Sequence, residues 1–495
     1  MRKAVAGYLA ALAAFALIAC GDAQPSAPRA GDGGWEGGEE PRALLQESRE
    51  AADENRLADA RALLDQALAL EPENPALWVA IARLRYRGGE HQQAITAAQR
   101  AVELGPGHAP ALLLRAQLVR DAYGLSDALV WFEAAVEADP NNPEALGEYA
   151  ATLGDAGYYT EMLAVTRALA DIAPADPRVF YLQAVLAARA GQPVLAKSLL
   201  ERSGLAQSGV PAAMMLNALI DIEGRNYDSA AAQLDALVQK QPGNVRVHEL
   251  LARALWLGQR DGELVARFGK AARRQSTSPY LAMLVGRALE RQGKRAEAAP
   301  FLERAYAGRD APSAPLPMRE GLPGPTVQLR TLIEAGRLSE AGRAGQRLRT
   351  RFKGSGDIAA LAGDTAMVAG DYSEALELYR DAARVRRSWP LALKMAATMR
   401  KLGEGDAADA LLARHLIGEP RNTEVLLLAG ERAARDENWP RVAILLDNAI
   451  ELGAGNDPKL LALRGRAARA LGEADKARRF EQMAHELHPA HLPQT

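Results

Sequence analysis

The chain has 495 residues, too many for one compact core, so its length predicts several domains or a repeat array. Hydrophobic residues make up 48% of it but aromatic residues only 5%, which favours cores closed by small side chains over cores of large rings. The formal net charge of -2 supplies no global field for nucleic acid. The single cysteine excludes an intramolecular disulfide framework and a cysteine-built zinc site.

Arg2 and Lys3 give a positive start, and Ala4 to Ala19 is apolar, short for a spanning helix, and ends in small residues. This pattern predicts a targeting segment over residues 1–19 rather than part of the fold. Leu17-Ile18-Ala19-Cys20 resembles the lipobox of bacterial lipoproteins, although Ile18 stands where that family more often has Ala or Ser. The resemblance implies cleavage before Cys20 and lipidation of its thiol with a diacylglycerol anchor. The alternative is a secretory signal with an incidental cysteine. Gly21 follows, where Asp would resemble the inner-membrane retention signal, so the resemblance further implies an outer-membrane anchor facing the periplasm. Residues 21–40 are rich in Gly, Pro and acidic residues with no apolar period, which predicts a flexible tether.

Pro72, Pro106, Pro140 and Pro174 are spaced by 34 residues, and two further periods reach Pro242. A frame of that length gives units starting at Pro41, Pro75, Ala109, Pro143, Pro177, Pro211, Val245 and Pro279. Within it the eighth place is small: Ala82, Ala116, Ala150, Ala184, Ala218, Ala252 and Gly286. A second small set is Ala60, Ala94, Ala128, Ala196, Ala230 and Ala298, broken by Met162 and Leu264, which predicts looser or shifted packing in those two units. Gly89, Gly157, Gly191 and Gly293 fall at a turn, and Pro75, Pro143, Pro177 and Pro211 fall where helices open. Trp78, Gly89, Ala94, Ala98 and Pro106 match the tetratricopeptide pattern, with Arg85 in place of its Tyr. On these residues the chain resembles tetratricopeptide-repeat proteins over roughly residues 41–489. The resemblance implies an all-α, right-handed superhelical solenoid of about thirteen helix–turn–helix units.

The register fails at residues 308–325, which are too rich in proline for a helix. This stretch is either a long surface loop or a hinge or docking loop. The pattern resumes with Gly336, Leu338 and Ala341 and returns strongly from Gly356, with further units near Trp389, Thr423 and Pro458. The expected organisation is therefore a first block over 41–307 and a second over 326–495.

No phosphate loop, nucleophile elbow or dinucleotide fingerprint occurs, so no cofactor is expected and catalysis is disfavoured. His485, His488 and His491 superficially resemble a zincin helix but fall one residue short of H-E-x-x-H, leaving a metal-dependent enzyme as a remote alternative. Binding is the better expectation. In the family resembled, first helices line the concave face, which here points Arg83, Tyr86, Arg120, Tyr181, Arg189, Met215, Arg253, Trp256, Tyr280 and Arg287 inward. Arg, Tyr, Trp and Met are enriched in protein interfaces, although such side chains also pack between units. The lysine–asparagine clamp of tetratricopeptide co-chaperones is missing: Val79 and Arg83, then Leu113 and Gln117, hold those places.

Charge is uneven. Residues 120–178 carry 11 acidic and 3 basic side chains, and residues 343–401 carry 12 basic and 6 acidic. Arg343, Arg347, Arg349, Arg351 and Lys353, followed by Arg384, Arg386 and Arg387, form either a solvated face or a patch for an anionic polysaccharide, a lipid surface or an acidic partner. With the lipobox, the whole chain resembles a tetratricopeptide-repeat lipoprotein of the bacterial envelope. That resemblance implies partners in an exopolysaccharide-export, secretion or assembly machine, and no nucleic acid.

Overall fold

The computed structural model describes residues 37–242, 244–273, 278–307, 324–455 and 457–487. Cys20 and the segment before it, residues 21–36 of the tether, residues 308–323, His488 and His491, and the side chain of His485 lie outside the described residues. The described residues form twenty-six α-helices and no strand.

The helices come in consecutive antiparallel pairs, thirteen in all among the described residues. The first four pairs are α1 (Glu39–Asp53) with α2 (Leu57–Leu70), α3 (Pro75–Arg87) with α4 (His91–Leu104), α5 (Ala109–Tyr123) with α6 (Leu125–Ala138), and α7 (Pro143–Ala156) with α8 (Tyr159–Ile172). The next four are α9 (Pro177–Arg189) with α10 (Pro193–Ser203), α11 (Pro211–Glu223) with α12 (Tyr227–Lys240), α13 (Val245–Leu257) with α14 (Asp261–Ala272), and α15 (Pro279–Arg291) with α16 (Arg295–Ala307). Then follow α17 (Gly324–Glu334) with α18 (Leu338–Arg351), α19 (Gly356–Ala369) with α20 (Tyr372–Ala383), and α21 (Trp389–Lys401) with α22 (Gly405–Gly418). The last two are α23 (Thr423–Arg435) with α24 (Trp439–Ala449), and α25 (Pro458–Ala470) with α26 (Ala474–Leu487).

The expected helix-pair solenoid is therefore present, with small shifts at the edges. Glu39 and Glu40 belong to α1 rather than to the tether, and Gly324 and Pro325 already belong to α17. The chain divides into two compact units, with boundaries after residues 174, 322 and 419. Helices α1–α8 and α17–α22 fall in one unit, and α9–α16 with α23–α26 in the other. Each repeat block is cut once, because the grouping follows spatial contact rather than the repeat register.

Local chemistry explains the pairs. Asn74, Asn142, Asp176, Asn244 and Asn422 cap first helices by accepting backbone N–H bonds through their side chains. Proline fills the first turn after several of these caps, where its missing N–H costs nothing. The turn between paired helices needs a left-handed residue. Gly89, Gly157, Gly191 and Gly293 supply it, and Asn55, Arg225, Gln259 and Glu437 adopt it at the corresponding place in other pairs. Inside each unit several neighbouring first helices touch one another, as α3 touches α5 and α13 touches α15.

The pairs close through small residues. Ala82, Ala116, Ala150, Ala184, Ala218 and Ala252 are all but fully buried. Where the eighth place is glycine, a larger partner fills the space. A Cβ on Gly286 would lie 2.6 Å from Leu302 Cγ, and one on Gly363 would lie 2.6 Å from the Tyr379 ring. Both Met162 and Leu264 are fully buried, but their pairs differ: α7 and α8 pack closely around Met162, contrary to expectation, whereas α13 and α14, the pair of Leu264, touch each other far less than the other pairs, as expected. Met162 fits because it faces Gly154, where a Cβ would stand 2.6 Å from its sulfur.

Glycine inside a helix normally costs about 1 kcal/mol relative to alanine. Gly363→Ala should reverse that sign and destabilise its unit by roughly 1–3 kcal/mol through overpacking against Tyr379. Chemical denaturation of the variant checks this, and a stabilised variant would contradict the packing described.

Candidate partner-binding surface

In α9–α16 the residues expected to point inward divide by burial. Tyr181 and Met215 are buried and pack within the stack. Arg189, Arg253, Trp256, Tyr280 and Arg287 are half-buried, so each presents part of its side chain to solvent. Trp256 is braced: the Arg291 guanidinium lies 4.9 Å from its ring centroid and donates to its backbone carbonyl at 2.7 Å. Arg291 also pairs with Asp261, and Arg287 pairs with Glu290 at 3.0 Å. These bonds order Trp256 and Arg287 on the first helices α13 and α15.

In the other unit the inward residues meet their own chain. Arg83 on α3 reaches Glu144 on α7, two pairs further on, at 3.4 Å. Arg120 is buried, with Nη1 donating to Glu148 at 2.8 Å and to Thr152 at 3.0 Å. Its guanidinium is thus committed to the stack. Tyr86 donates to Asp121 at 3.4 Å and lies against the His91 ring, with centroids 4.8 Å apart. Burial pushes the Tyr86 hydroxyl pKa up, and Asp121 adds to the rise.

Within this same unit the turns of α17–α22 dock on the turns of α3–α6. Gln92 donates its backbone N–H to Gly354 O at 3.3 Å, and Gly356 donates its own to His91 Nδ1 at 3.2 Å. Gly354 has φ 84°, in the left-handed region that favours glycine, and lies against the Gln93 side-chain amide. Arg387 donates from its backbone to Asp121 O at 3.0 Å and from Nη2 to Tyr123 O at 2.9 Å. Ser126 Oγ donates to Ile417 O at 2.9 Å, and beside it Gly124 and Gly418 meet backbone to backbone. Arg386 bears electrostatically on Asp121 and Tyr86, and Asp127 on Arg387. Part of the basic stretch thus meets part of the acidic stretch. None of His91, Gln92, Ser126 or Gly354 stands out in the sequence, and only the uneven charge hinted at the pairing.

The other basic residues are placed differently. Arg384 pairs with Asp381 at 3.3 Å. Arg343, Arg347, Arg351 and Lys353 are exposed on α18 and the turn after it, and Arg349 is half-buried. Deeper in this unit, Lys394 Nζ bonds both oxygens of Asp364 at 2.7 Å, and Tyr379 donates to Asp364 at 2.8 Å. Burial raises the Asp364 pKa against the opposing pull of Lys394. This network ties α19, α20 and α21 together and is satisfied within itself. Among the described residues no group of His, Cys, Asp and Glu is placed to hold a metal, and no helix is long and apolar enough to cross a membrane.

The tetratricopeptide repeat model matches residues 45–109, 79–143 and 216–263, so the chain carries tetratricopeptide repeats. No curated protein matches its sequence. Among solved structures it resembles a tetratricopeptide repeat protein from Parabacteroides merdae at 16% identity, covering 59% of this chain and 97% of that one, with a TM-score of 0.29. It also resembles PilF of Pseudomonas aeruginosa at 19% identity, covering 47% and 92%, with a TM-score of 0.32. A third is PilW, a type IV pilus biogenesis factor, at 18% identity, covering 44% and 100%, with a TM-score of 0.36. Tetratricopeptide repeats are protein-interaction scaffolds that bind through extended surfaces.

The docking of Gly356 on His91 carries a pH dependence. Nδ1 must be unprotonated to accept the N–H, and burial lowers the His91 pKa from its ordinary 6.5, against the pull of Asp357. With the folded pKa depressed, the unfolded state binds the proton first. Stability is then full above about 6.5 and falls as pH drops through that value. Hydrogen exchange of the 354–358 segment, corrected for intrinsic rate, should rise below pH 6.5 in the parent. It should lose that pH response in His91→Gln; an unchanged response would contradict the assignment.

Proposed function

We propose that this protein is an envelope-anchored scaffold whose repeat groove binds partner proteins of an export, secretion or assembly machine. The observation that carries the reading is the half-buried row of Arg189, Arg253, Trp256, Tyr280 and Arg287 on the first helices of α9–α15. Large amphipathic side chains combine contact area with directed hydrogen bonds, and Trp256 and Arg287, ordered by Arg291 and Glu290, lose little entropy on binding. Among the inward places of α3–α7, by contrast, Arg120 is buried against Glu148 and Thr152. The anchor rests on the resemblance of residues 17–20 to a lipobox, with the thiol of Cys20 as the lipidated atom. Outer-membrane placement facing the periplasm follows from Gly21 in that same resemblance.

A second reading is contact with an anionic glycan or lipid surface. It is supported by Arg343, Arg347, Arg351 and Lys353, which are all exposed along α18 and its following turn.

Photocrosslinking residues introduced in intact cells at Trp256 and Tyr280 should capture partner proteins, whereas one at Val194, 84% exposed on the second helix α10, should not. Equal capture at all three positions would reject the row as the binding surface. Cys20→Ser should release the protein from membranes into the soluble envelope fraction. If the variant sediments with membranes as firmly as the parent, the lipid anchor is wrong.

A further inference from the structure

One feature of the basic stretch is a cavity rather than a face. It has a volume of about 290 Å³ and lies where the last turn of α18 and the start of α19 meet α4. Its polar lining is Gln92, Gln346, Arg349, Thr350, Lys353 and Ser355. Phe352, 41% exposed, supplies an apolar wall, with the Arg351 guanidinium 5.3 Å from its ring centroid.

The electrostatics of this cavity are one-sided. Among the described residues neither Arg349 nor Lys353 has a carboxylate partner. The one carboxylate in the lining, Asp381, is paired with Arg384 at 3.3 Å. Asp357, at the start of α19, bears instead on Tyr86 and His91. The leading amides of α19 are already committed, Gly356 N–H to His91 Nδ1 and Ile358 N–H to Ser355 Oγ. Recognition here therefore falls to side chains. Two cations with no internal counter-charge call for an anion. Two side-chain amides and two hydroxyls around them call for a ligand that also carries hydroxyl groups. A cavity near 300 Å³ is at the small end of ligand sites and fits one ring-sized unit.

We propose that this pocket binds a carboxylate carried on a hydroxylated ring or chain, the chemistry shared by a free sugar acid and by a uronate unit within a glycan. Arg349 and Lys353 hold the carboxylate, Gln92 and Gln346 bond the hydroxyls, and Phe352 lies against the apolar side. The site narrows the anionic-ligand reading of the basic stretch and rests on it. Because Gln92 comes from α4 and the rest from α18, the turn after it and the start of α19, a bound anion also bridges two segments that the chain holds more than 250 residues apart.

Calorimetry on the full chain tests this with D-glucuronate, a uronate oligosaccharide, glucose and inorganic phosphate as separate probes. Glucuronate and the oligosaccharide should bind, glucose should not, and phosphate should bind more weakly than glucuronate. Replacing Arg349 and Lys353 together by Gln should weaken glucuronate roughly tenfold or more, the scale of one lost charge-assisted bond. Replacing Arg343 and Arg347 by Gln should leave free glucuronate binding unchanged. Unchanged affinity in the Arg349 and Lys353 variant, or phosphate binding as tight as glucuronate, would overturn the pocket. If the oligosaccharide alone binds, and binds through Arg343 and Arg347, the pocket is wrong while the basic face stands. If none of the probes binds, both are wrong.

Discussion

The constraint on which the rest depends is the distance between paired helices. Each first helix must bring its backbone close to the second, and only a hydrogen or a methyl fits at the contact. Ala82, Ala116, Ala150 and their counterparts satisfy this in one way. Gly286 and Gly363 satisfy it in another, giving up a methyl so that Leu302 or Tyr379 can enter from the facing helix. Met162 shows the rule in reverse, since its bulk on the second helix is accepted by Gly154 on the first. What is fixed is the sum of the two side chains across the contact, and either helix can hold the larger one. Because the contact recurs with the repeat, first helices recur at the same place in successive pairs, and their inward residues recur with them.

The two units use these inward residues differently. In one, Arg83, Tyr86 and Arg120 meet carboxylates or ring systems of their own unit, and its turns are locked at Gln92 with Gly354, Asp121 with Arg387, and Ser126 with Ile417. Most of these turn contacts use backbone groups, so they depend on the path of the chain more than on side-chain identity. In the other, the arginine–aromatic row of α9–α15 keeps part of its surface in solvent. The first arrangement spends polar groups on cohesion. The second sets large amphipathic side chains partly in solvent, which is the physical basis for assigning partner binding to that row.

Much of the fold was legible because it is periodic. Pro75, Pro143, Pro177 and Pro211 marked helix starts, Gly89 and Gly157 marked turns, and the small eighth places marked the close contact, each for a local steric reason. Met162 was misjudged because its compensation lies at Gly154, on the other helix and outside the repeated pattern. The site was less legible. Helical phase placed Trp256 and Tyr280 at inward places, but it could not separate them from Tyr181 and Met215, whose burial depends on neighbouring pairs. Arg120 has the phase of a surface residue and the environment of a buried ion, because Glu148 lies one pair further on. The docking of His91 and Asp121 on turns some 265 residues later leaves no periodic trace, and the acidic and basic stretches were its only shadow in the sequence.

The central claim is that one unit is closed by its own turns while the exposed row of the other receives partners. In the Cys20→Ser chain the amides of Gln92, Gly356 and Arg387, which are bonded across the turns of the closed unit, should exchange slowly with solvent while a photocrosslinker at Tyr280 captures partner proteins. Fast exchange at those amides in the folded chain, or no capture at Tyr280, would contradict the account.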